Sequence, residues 1–276
     1  MAVGAAVPAD RAPDARVDQA TLGVFRALMG LQFLTAGFFG FFPFLAPLEF
    51  ARLFSLIGDE PYLYRLAGAA AIGYSIAALV ALFRATWRSI RIPVIASFTF
   101  NLAAAGACLL AIDESGVGPL PALVAIAATL FTALSAYWLR RDDGERAPQD
   151  EELEPAFRVI LGLATVAASV FGLAPLLLPR TFASFLAISD ADLVMIRLAG
   201  AATLGYAVAG AFQLLANRWP EIRIQVIAAI VFNALSAVAS AIYLAGGGPS
   251  ILGLVVLPAS AFFTFALTAF AARAAR

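Results

Sequence analysis

Eight long apolar segments restrict the fold of this chain more than any other feature of its sequence. A helix needs about 20 apolar residues to cross a hydrocarbon core of about 30 Å. Hydrophobic residues make up 62% of the sequence and charged residues 13%, against about 45–50% and about 25% in soluble domains. The segments occupy residues 24–46, 62–83, 91–112, 119–139, 157–178, 194–216, 223–245 and 251–271. The sequence therefore predicts an all-α integral membrane protein with eight transmembrane helices.

Two segments outside the apolar stretches are polar. Residues 1–20 are rich in Ala, Pro, Asp and Arg and contain no long apolar run, so they are predicted to form a disordered N-terminal tail. Residues 140–156 include the run RRDDGERAPQDEELEP and are predicted to form a charged, solvated linker. This linker separates a first four-helix unit, residues 21–139, from a second, residues 157–276.

The two units repeat one another at an offset of 132 residues. The run RLAGAAAIGY at 65–74 returns as RLAGAATLGY at 197–206, and Trp87 returns as Trp219. About forty of roughly 117 aligned positions are identical, and they include Arg, Asn, Trp and Pro, which shared hydrophobicity does not explain. The sequence therefore predicts a tandem duplication. Because four helices return the chain to its starting side, both units have the same orientation and are related by an axis along the membrane normal.

The basic residues are distributed unequally between the two ends of the predicted helices. All 18 are arginine. Fourteen lie at the end that holds the linker and both termini: Arg11, Arg16, Arg26, Arg84, Arg88, Arg91, Arg140, Arg141, Arg146, Arg158, Arg218, Arg223, Arg273 and Arg276. The other end holds Arg52, Arg65, Arg180 and Arg197. The positive-inside rule predicts a multi-pass protein of the cell membrane with both termini in the cytoplasm.

Arg65 and Arg197 lie about one turn inside the second helix of each unit, at the end with few arginines. Acidic residues precede both of them: Asp59, Glu60, Asp190 and Asp192. In one interpretation each arginine extends toward the interface and pairs with the carboxylates that precede it. In the alternative, the two arginines face a shared outer cavity across the pseudo-two-fold axis and bind an anionic head group or carboxylate.

A second set of candidates lies near the middle of the bilayer. Counting inward from the two membrane faces places Tyr74 and Asn101 both about 14–15 Å deep, so the two side chains are predicted to meet. Tyr206 and Asn233 repeat the arrangement in the second unit. These residues are predicted either to join helices through hydrogen bonds or to line a buried pocket for an amphipathic ligand.

Two differences of detail refine these predictions. Gln32 and Thr35 in the first unit correspond to alanines in the second, so a ligand that binds one unit alone is predicted in the first. Small residues also recur at four-residue spacing around Tyr74, which predicts a flat stripe for close helix packing. The stripe comprises Ala69, Gly73 and Ala77, repeated as Ala201, Gly205 and Ala209.

Several chemistries are not expected. No Asp or Glu lies deep in an apolar segment, whereas proton-coupled transporters usually carry such residues. The chain has no His and no Lys, which removes the commonest metal ligand and the amine that forms Schiff bases. The net charge is zero, so nucleic acid is not an expected partner. The single cysteine, Cys108, is predicted to be a core residue. We therefore predict no catalytic residues, metal or cofactor.

Each unit combines an opening helix, FRALMGLQFLTAGFFGFF in the first, with a Pro-containing outer loop, the RLAGAAAIGY helix and two further helices. In this order it resembles the small four-helix bacterial membrane proteins called DoxX-like. The resemblance implies an integral membrane bundle, and it carries no catalytic residue over to this chain. We predict a non-catalytic membrane protein, either a subunit or scaffold of a larger assembly or a binder of lipid-like molecules, with membrane lipid and other membrane proteins as partners. The alternatives are a transporter or channel for a neutral or anionic small molecule along the pseudo-two-fold axis, and a membrane enzyme acting on a lipid or quinone.

Overall fold

A computed structural model describes residues 19–57, 60–84, 87–140, 152–248 and 251–274. Within these residues eight helices are long and apolar enough to cross a membrane, which confirms the prediction of a multi-pass, all-α membrane protein. Residues 1–18 of the predicted tail and 141–151 of the predicted linker lie outside the described residues. The helices are α1 Gln19–Leu45, α2 Pro47–Leu53, α3 Pro61–Arg84, α4 Trp87–Ser115, α5 Pro119–Leu139, α6 Pro155–Leu177, α7 Pro179–Leu186, α8 Leu193–Ala216, α9 Trp219–Ala245 and α10 Ile251–Ala274.

Proline and asparagine define several helix boundaries. Helices α5 and α6 begin at Pro119 and Pro155, a position where the missing N–H leaves no hydrogen bond unmade. Helix α8 ends at Ala216, and the following residue, Asn217, adopts a left-handed conformation and donates its backbone N–H to the carbonyl of Gln213. Asparagine tolerates this conformation better than most residues, so α9 can begin only two residues later.

The Pro-containing outer loop of each predicted unit contains a short helix, which the sequence analysis did not predict. Helices α2 and α7 begin at Pro47 and Pro179. We interpreted these prolines as loop signals, but proline also favours the first turn of a helix. Phe50 of α2 and Ala183 of α7 are buried, so each short helix packs one face against the rest of the protein. We call this end of the bundle the short-helix end, and the opposite end, where α5 finishes and α6 begins, the linker end.

The helices of the first half, residues 19–140, are interleaved with those of the second half, residues 152–274. Helix α3 packs mainly against α1 and α9, and α8 packs mainly against α6 and α4. Consecutive helices α3 and α4 share only a small contact, as do α8 and α9. Helix α5 packs mainly against α4, and α10 packs mainly against α9. The core of each half is therefore completed by the other half.

Burial separates the central helices from those that face lipid. In the most apolar stretch of α3 and of α8, 61% of the residues are buried, against 17% in α6. The outer helices expose large apolar side chains, among them Leu34, Phe41, Val166, Leu177 and Phe265. A continuous apolar surface of this kind is unfavourable in water but equivalent in polarity to acyl chains. Cys108 is buried, as predicted.

Candidate ligand-binding cavities

Tyr74 and Tyr206 meet at the centre of the bundle, where the two halves are in contact. The Tyr74 hydroxyl donates to the carbonyl oxygen of Ala202 at 2.8 Å, and the Tyr206 hydroxyl donates to that of Ala70 at 3.1 Å. The centroids of the two rings are 4.8 Å apart. Each tyrosine therefore uses its hydroxyl to bind the backbone of the opposite half, and the sequence prediction of interhelical hydrogen bonding is confirmed for these two residues.

Two glycines make this central contact possible. A Cβ atom at Gly73 would overlap the Tyr206 hydroxyl, and a Cβ atom at Gly205 would overlap the Tyr74 hydroxyl. Each added Cβ would also lie 2.8 Å from a backbone carbonyl oxygen of the neighbouring helix, closer than normal packing allows. The small-residue stripe predicted for close packing thus accommodates the tyrosine of the other half.

The asparagines do not bind the tyrosines with which we paired them. The Asn101 amide donates to the backbone oxygen of Ser97 at 2.8 Å and to its Oγ at 3.1 Å, while the Asn233 amide donates to the backbone oxygen of Ala229 at 2.8 Å. Both are bonds to the preceding turn of the same helix. Tyr74 and Asn101 were predicted to meet. They line the same cavity, but they donate hydrogen bonds to different partners.

That cavity, the first cavity, has a volume of about 100 Å³ and is lined mainly by residues of the first half. It brings together Gln32, Thr35, Tyr74 and Asn101 among apolar side chains. The Gln32 amide donates to the Ser97 Oγ at 2.9 Å. Four predicted site residues therefore share one cavity, and hydrogen bonds within the protein already use the donors of three of them.

The second cavity has a volume of about 160 Å³ and is lined mainly by residues of the second half. It is lined by Tyr206 and Asn233, the counterparts of Tyr74 and Asn101. Leu63 and Leu66 of α3 contribute to its wall, as Met195 and Leu198 of α8 do in the first cavity. Its further polar lining comprises Thr165, Thr203, Gln213, Gln225, Ser236 and Ser260.

Two buried polar side chains of the second cavity lack hydrogen-bond partners among the described residues. Gln225 is 1% exposed and Ser236 2% exposed. Neither amide atom of Gln225 has a partner, and neither does the Ser236 Oγ. A buried polar group left without a partner costs about 1–3 kcal/mol, so such groups in native proteins usually bind water or a ligand.

Gln225 and Ser236 were not among the predicted site residues, although comparing the sequences of the two halves could have identified them. At the offset of 132 residues, Gln225 aligns with Pro93 and Ser236 with Ala104. We compared the halves only for polar residues that the second half had lost, and so favoured the first half because of Gln32 and Thr35. The converse comparison identifies a polar set that is present only in the second half.

Arg197 and Glu114 form an ion pair between the two halves at the short-helix end. The Nη1 and Nη2 atoms of Arg197 donate to the two carboxylate oxygens at 2.6 and 2.7 Å. The guanidinium is buried, whereas 42% of the Glu114 side chain is exposed. Our prediction that Arg197 pairs with Asp190 or Asp192 is wrong. The Asp192 carboxylate instead accepts the backbone N–H of Ile57 at 3.0 Å and the Tyr64 hydroxyl.

Arg65 has a different environment from Arg197. The position that corresponds to Glu114 in the second half is Gly246, so Arg65 cannot form the equivalent pair. A surface cavity of about 460 Å³ adjoins Arg197, and the second cation that lines it is Arg180 rather than Arg65. The cavity beside Arg197 is therefore not shared with Arg65; Asp59 lies outside the described residues.

Further contacts join the halves at the same end. The Tyr62 hydroxyl is hydrogen-bonded to the Ser240 Oγ at 2.8 Å, and the Tyr62 ring stacks on Tyr243 with a centroid distance of 4.5 Å.

The described residues contain no group of three or more His, Cys, Asp or Glu side chains placed to hold a metal ion. Comparison with protein families, curated proteins and solved structures finds no match to this chain.

Proposed function

We propose that this protein binds a lipid-like small molecule in a cavity between its transmembrane helices, without catalysis. The observation that carries the proposal is the second cavity, which lies between the five membrane helices α3, α6, α8, α9 and α10 and combines apolar walls with buried polar groups. A pocket of mostly apolar surface with a few convergent polar groups is the usual form of a small-molecule site. The lipid tails that surround the bundle provide the ligand class that can enter from within the membrane.

The proposal includes a tandem duplication of a four-helix unit. Its support is the agreement between the two cavities, whose walls use corresponding residues such as Phe39 and Phe171 or Phe100 and Phe232. The crossed hydrogen bonds of the two central tyrosines follow the same correspondence. The similarity to DoxX-like proteins and the placement in the cell membrane, with the linker end in the cytoplasm, belong to the same proposal and rest on the sequence.

Transport along the pseudo-two-fold axis is the less favoured function. The rings of Tyr74 and Tyr206 fill the space between the halves, and both hydroxyls are engaged by backbone oxygens. A solute could pass along this axis only if the tyrosines separated. Each cavity is lined mainly by one half, with Tyr74 in the wall of the first cavity and Tyr206 in the wall of the second, and this arrangement favours binding over passage.

Filling the second cavity is expected to remove the bound molecule. Ala259 lines it and Ala127 is its counterpart in the first cavity. We expect Ala259→Phe to reduce the amount of lipid-like molecule that copurifies by at least about tenfold. The reason is that the added ring occupies much of the space of about 160 Å³ that admits the ligand. The measurement is mass spectrometry of an organic extract of protein purified in mild detergent.

Two matched variants control this experiment. Ala269→Phe adds the same ring on the exposed face of α10 and is expected to leave the copurified molecule unchanged. Ala127→Phe tests whether the first cavity also binds. If the wild type and Ala259→Phe yield the same extract, the proposal is wrong; a copurifying protein in place of a small molecule would favour the subunit or scaffold function instead.

A further inference from the structure

The polar groups of the second cavity are arranged along its length. Gln225 lies near the start of α9, at the linker end, and Ser236 lies eleven residues later on the same helix. At 1.5 Å per residue, their positions are about 16 Å apart along the helix axis. Between them the wall that α9 provides is Ala229, Phe232 and Asn233. The cavity is therefore long, with an unpartnered polar group toward each end.

The volume of the cavity limits the ligand to a single chain. The space of about 160 Å³ is close to the about 150 Å³ of an engineered apolar cavity that binds benzene, so it is too small to enclose a chain of twelve carbons. The cavity is half open, however, and a single alkyl or isoprenoid chain can lie along it with part of its surface against the surrounding lipid. A two-chain phospholipid exceeds this space.

The lining also determines the charge of the ligand. Among the described residues, none of the side chains that line the second cavity is charged. An ionised head group would lose its hydration there without gaining a counter-ion, which is strongly unfavourable. The amide of Gln225 offers both a donor and an acceptor. A hydroxyl satisfies both of these atoms, whereas a quinone carbonyl satisfies only the donor.

We infer that the second cavity is a site for an uncharged single-chain molecule with a hydroxyl head group on Gln225 and a second hydrogen-bonding group on Ser236. This inference rests on the proposed function and names the ligand class for the same site. Gln213, which lines the cavity at the linker end and donates to the Ile222 carbonyl at a long 3.4 Å, supplies a further polar contact near the head group. In an extended alkyl chain each bond of about 1.5 Å advances the chain by about 1.25 Å, so the thirteen bonds between the two oxygens of a twelve-carbon diol span about 16 Å.

Three probes of equal chain length test this assignment: 1-dodecanol, 1,12-dodecanediol and dodecanoate. Binding of the labelled compounds is measured with the full chain in lipid nanodiscs, and the part abolished by Ala259→Phe is taken as specific. We expect Gln225→Leu to weaken specific dodecanol binding by about tenfold, the equivalent of about 1.4 kcal/mol. We expect the wild type to bind the diol more tightly than dodecanol, because the second hydroxyl reaches Ser236. Ser236→Ala should remove this preference.

Stability distinguishes a ligand-binding glutamine from a structural one. Because Gln225 has no partner in the part of the chain that the structure describes, Gln225→Leu is expected to maintain or raise the unfolding midpoint of the ligand-free protein. Gln32→Leu in the first cavity is the matched control. Gln32 is hydrogen-bonded to Ser97, so this variant is expected to lower the midpoint and to leave dodecanol binding in the second cavity unchanged.

Several results would overturn the inference. It fails if Gln225→Leu lowers the midpoint and leaves binding unchanged, since the amide would then be structural or bound to water only. Dodecanoate binding as tightly as dodecanol at neutral pH would contradict an uncharged ligand. If Ala259→Phe abolishes binding of the native molecule but neither polar variant affects any probe, the inference fails and the proposed function stands.

Discussion

Gly73→Ala is expected to lower the free energy of unfolding by about 1–3 kcal/mol, the usual cost of adding a methyl group to a closely packed interior. The methyl group would overlap the Tyr206 hydroxyl and would lie 2.8 Å from the carbonyl oxygen of Ala228. The carbonyl belongs to the backbone of α9 and cannot rotate away. The same loss is expected for Gly205→Ala, which meets Tyr74 and the carbonyl of Ala96. Alanine favours helices more than glycine does, so a loss would have to come from packing.

Second-site variants identify which tyrosine each glycine accommodates. Removing the Tyr206 hydroxyl with Tyr206→Phe breaks one hydrogen bond but relieves part of the overlap at residue 73. The loss in the double variant Gly73→Ala, Tyr206→Phe should therefore be smaller than the sum of the single losses by at least about 0.5 kcal/mol. Gly73→Ala with Tyr74→Phe should be close to additive, because the Tyr74 hydroxyl lies against Gly205 instead.

Reversible unfolding in mixed micelles, followed by circular dichroism, gives these free energies. Gly205→Ala should show the reciprocal pattern, with coupling to Tyr74→Phe and not to Tyr206→Phe. If both glycine variants are as stable as the wild type, or if each couples to the tyrosine of its own half, the halves do not interleave as the structure shows.

Glu114→Gln is expected to have the second large effect, a loss of about 1–3 kcal/mol. The substitution leaves the Arg197 guanidinium buried without its anionic partner, and a buried unpaired charge is costly. The expected value lies below the about 3–5 kcal/mol typical of fully buried pairs, because 42% of the Glu114 side chain is exposed and solvent screens part of the interaction.

The neighbouring acidic residue provides the control for Glu114→Gln. Asp113 lies on the same helix and is exposed, so Asp113→Asn removes the same charge and is expected to change stability by less than about 0.5 kcal/mol. Glu114→Gln combined with Arg197→Gln should recover much of the loss, since no charge then stays buried. Equal effects of the two single variants in urea-induced unfolding would show that the ion pair contributes nothing specific.

The eight membrane helices could be predicted because lipid imposes their length and composition. The order of their packing could not be predicted, because α3 and α9 are apolar on more than one face and the sequence does not say which helix each face meets. Tyr74 and Asn101 show the same limit. Their depth in the membrane was calculable from the helical rise, but the partner of each polar atom depended on the interleaving of the halves.

The ion pair was missed for a reason that the helix boundaries explain. We ended the third apolar segment at residue 112, whereas α4 continues to Ser115. Glu114 therefore lies in the last turn of a membrane helix, facing Arg197 of the opposite half. Charged residues near helix ends are ambiguous in sequence, because water, a neighbouring loop or another helix can neutralise them.

The unpartnered groups of the second cavity were, in contrast, accessible from the sequence. Gln225 and Ser236 stand where the sequence 132 residues earlier has Pro93 and Ala104, and a polar residue inside a membrane helix needs a partner. The structure adds that neither Gln225 nor Ser236 finds one among the described residues. This absence of a partner, rather than the residue types, distinguishes a candidate ligand site from interhelical hydrogen bonding.

An experimental density map of the protein purified with its native lipids tests the central claim most directly. We predict continuous elongated density in the second cavity that begins within hydrogen-bond distance of the Gln225 amide and extends toward Ser236. A second cavity closed by its own side chains, or one that holds only isolated water molecules on Gln225 and Ser236, would contradict a lipid-binding function for this protein.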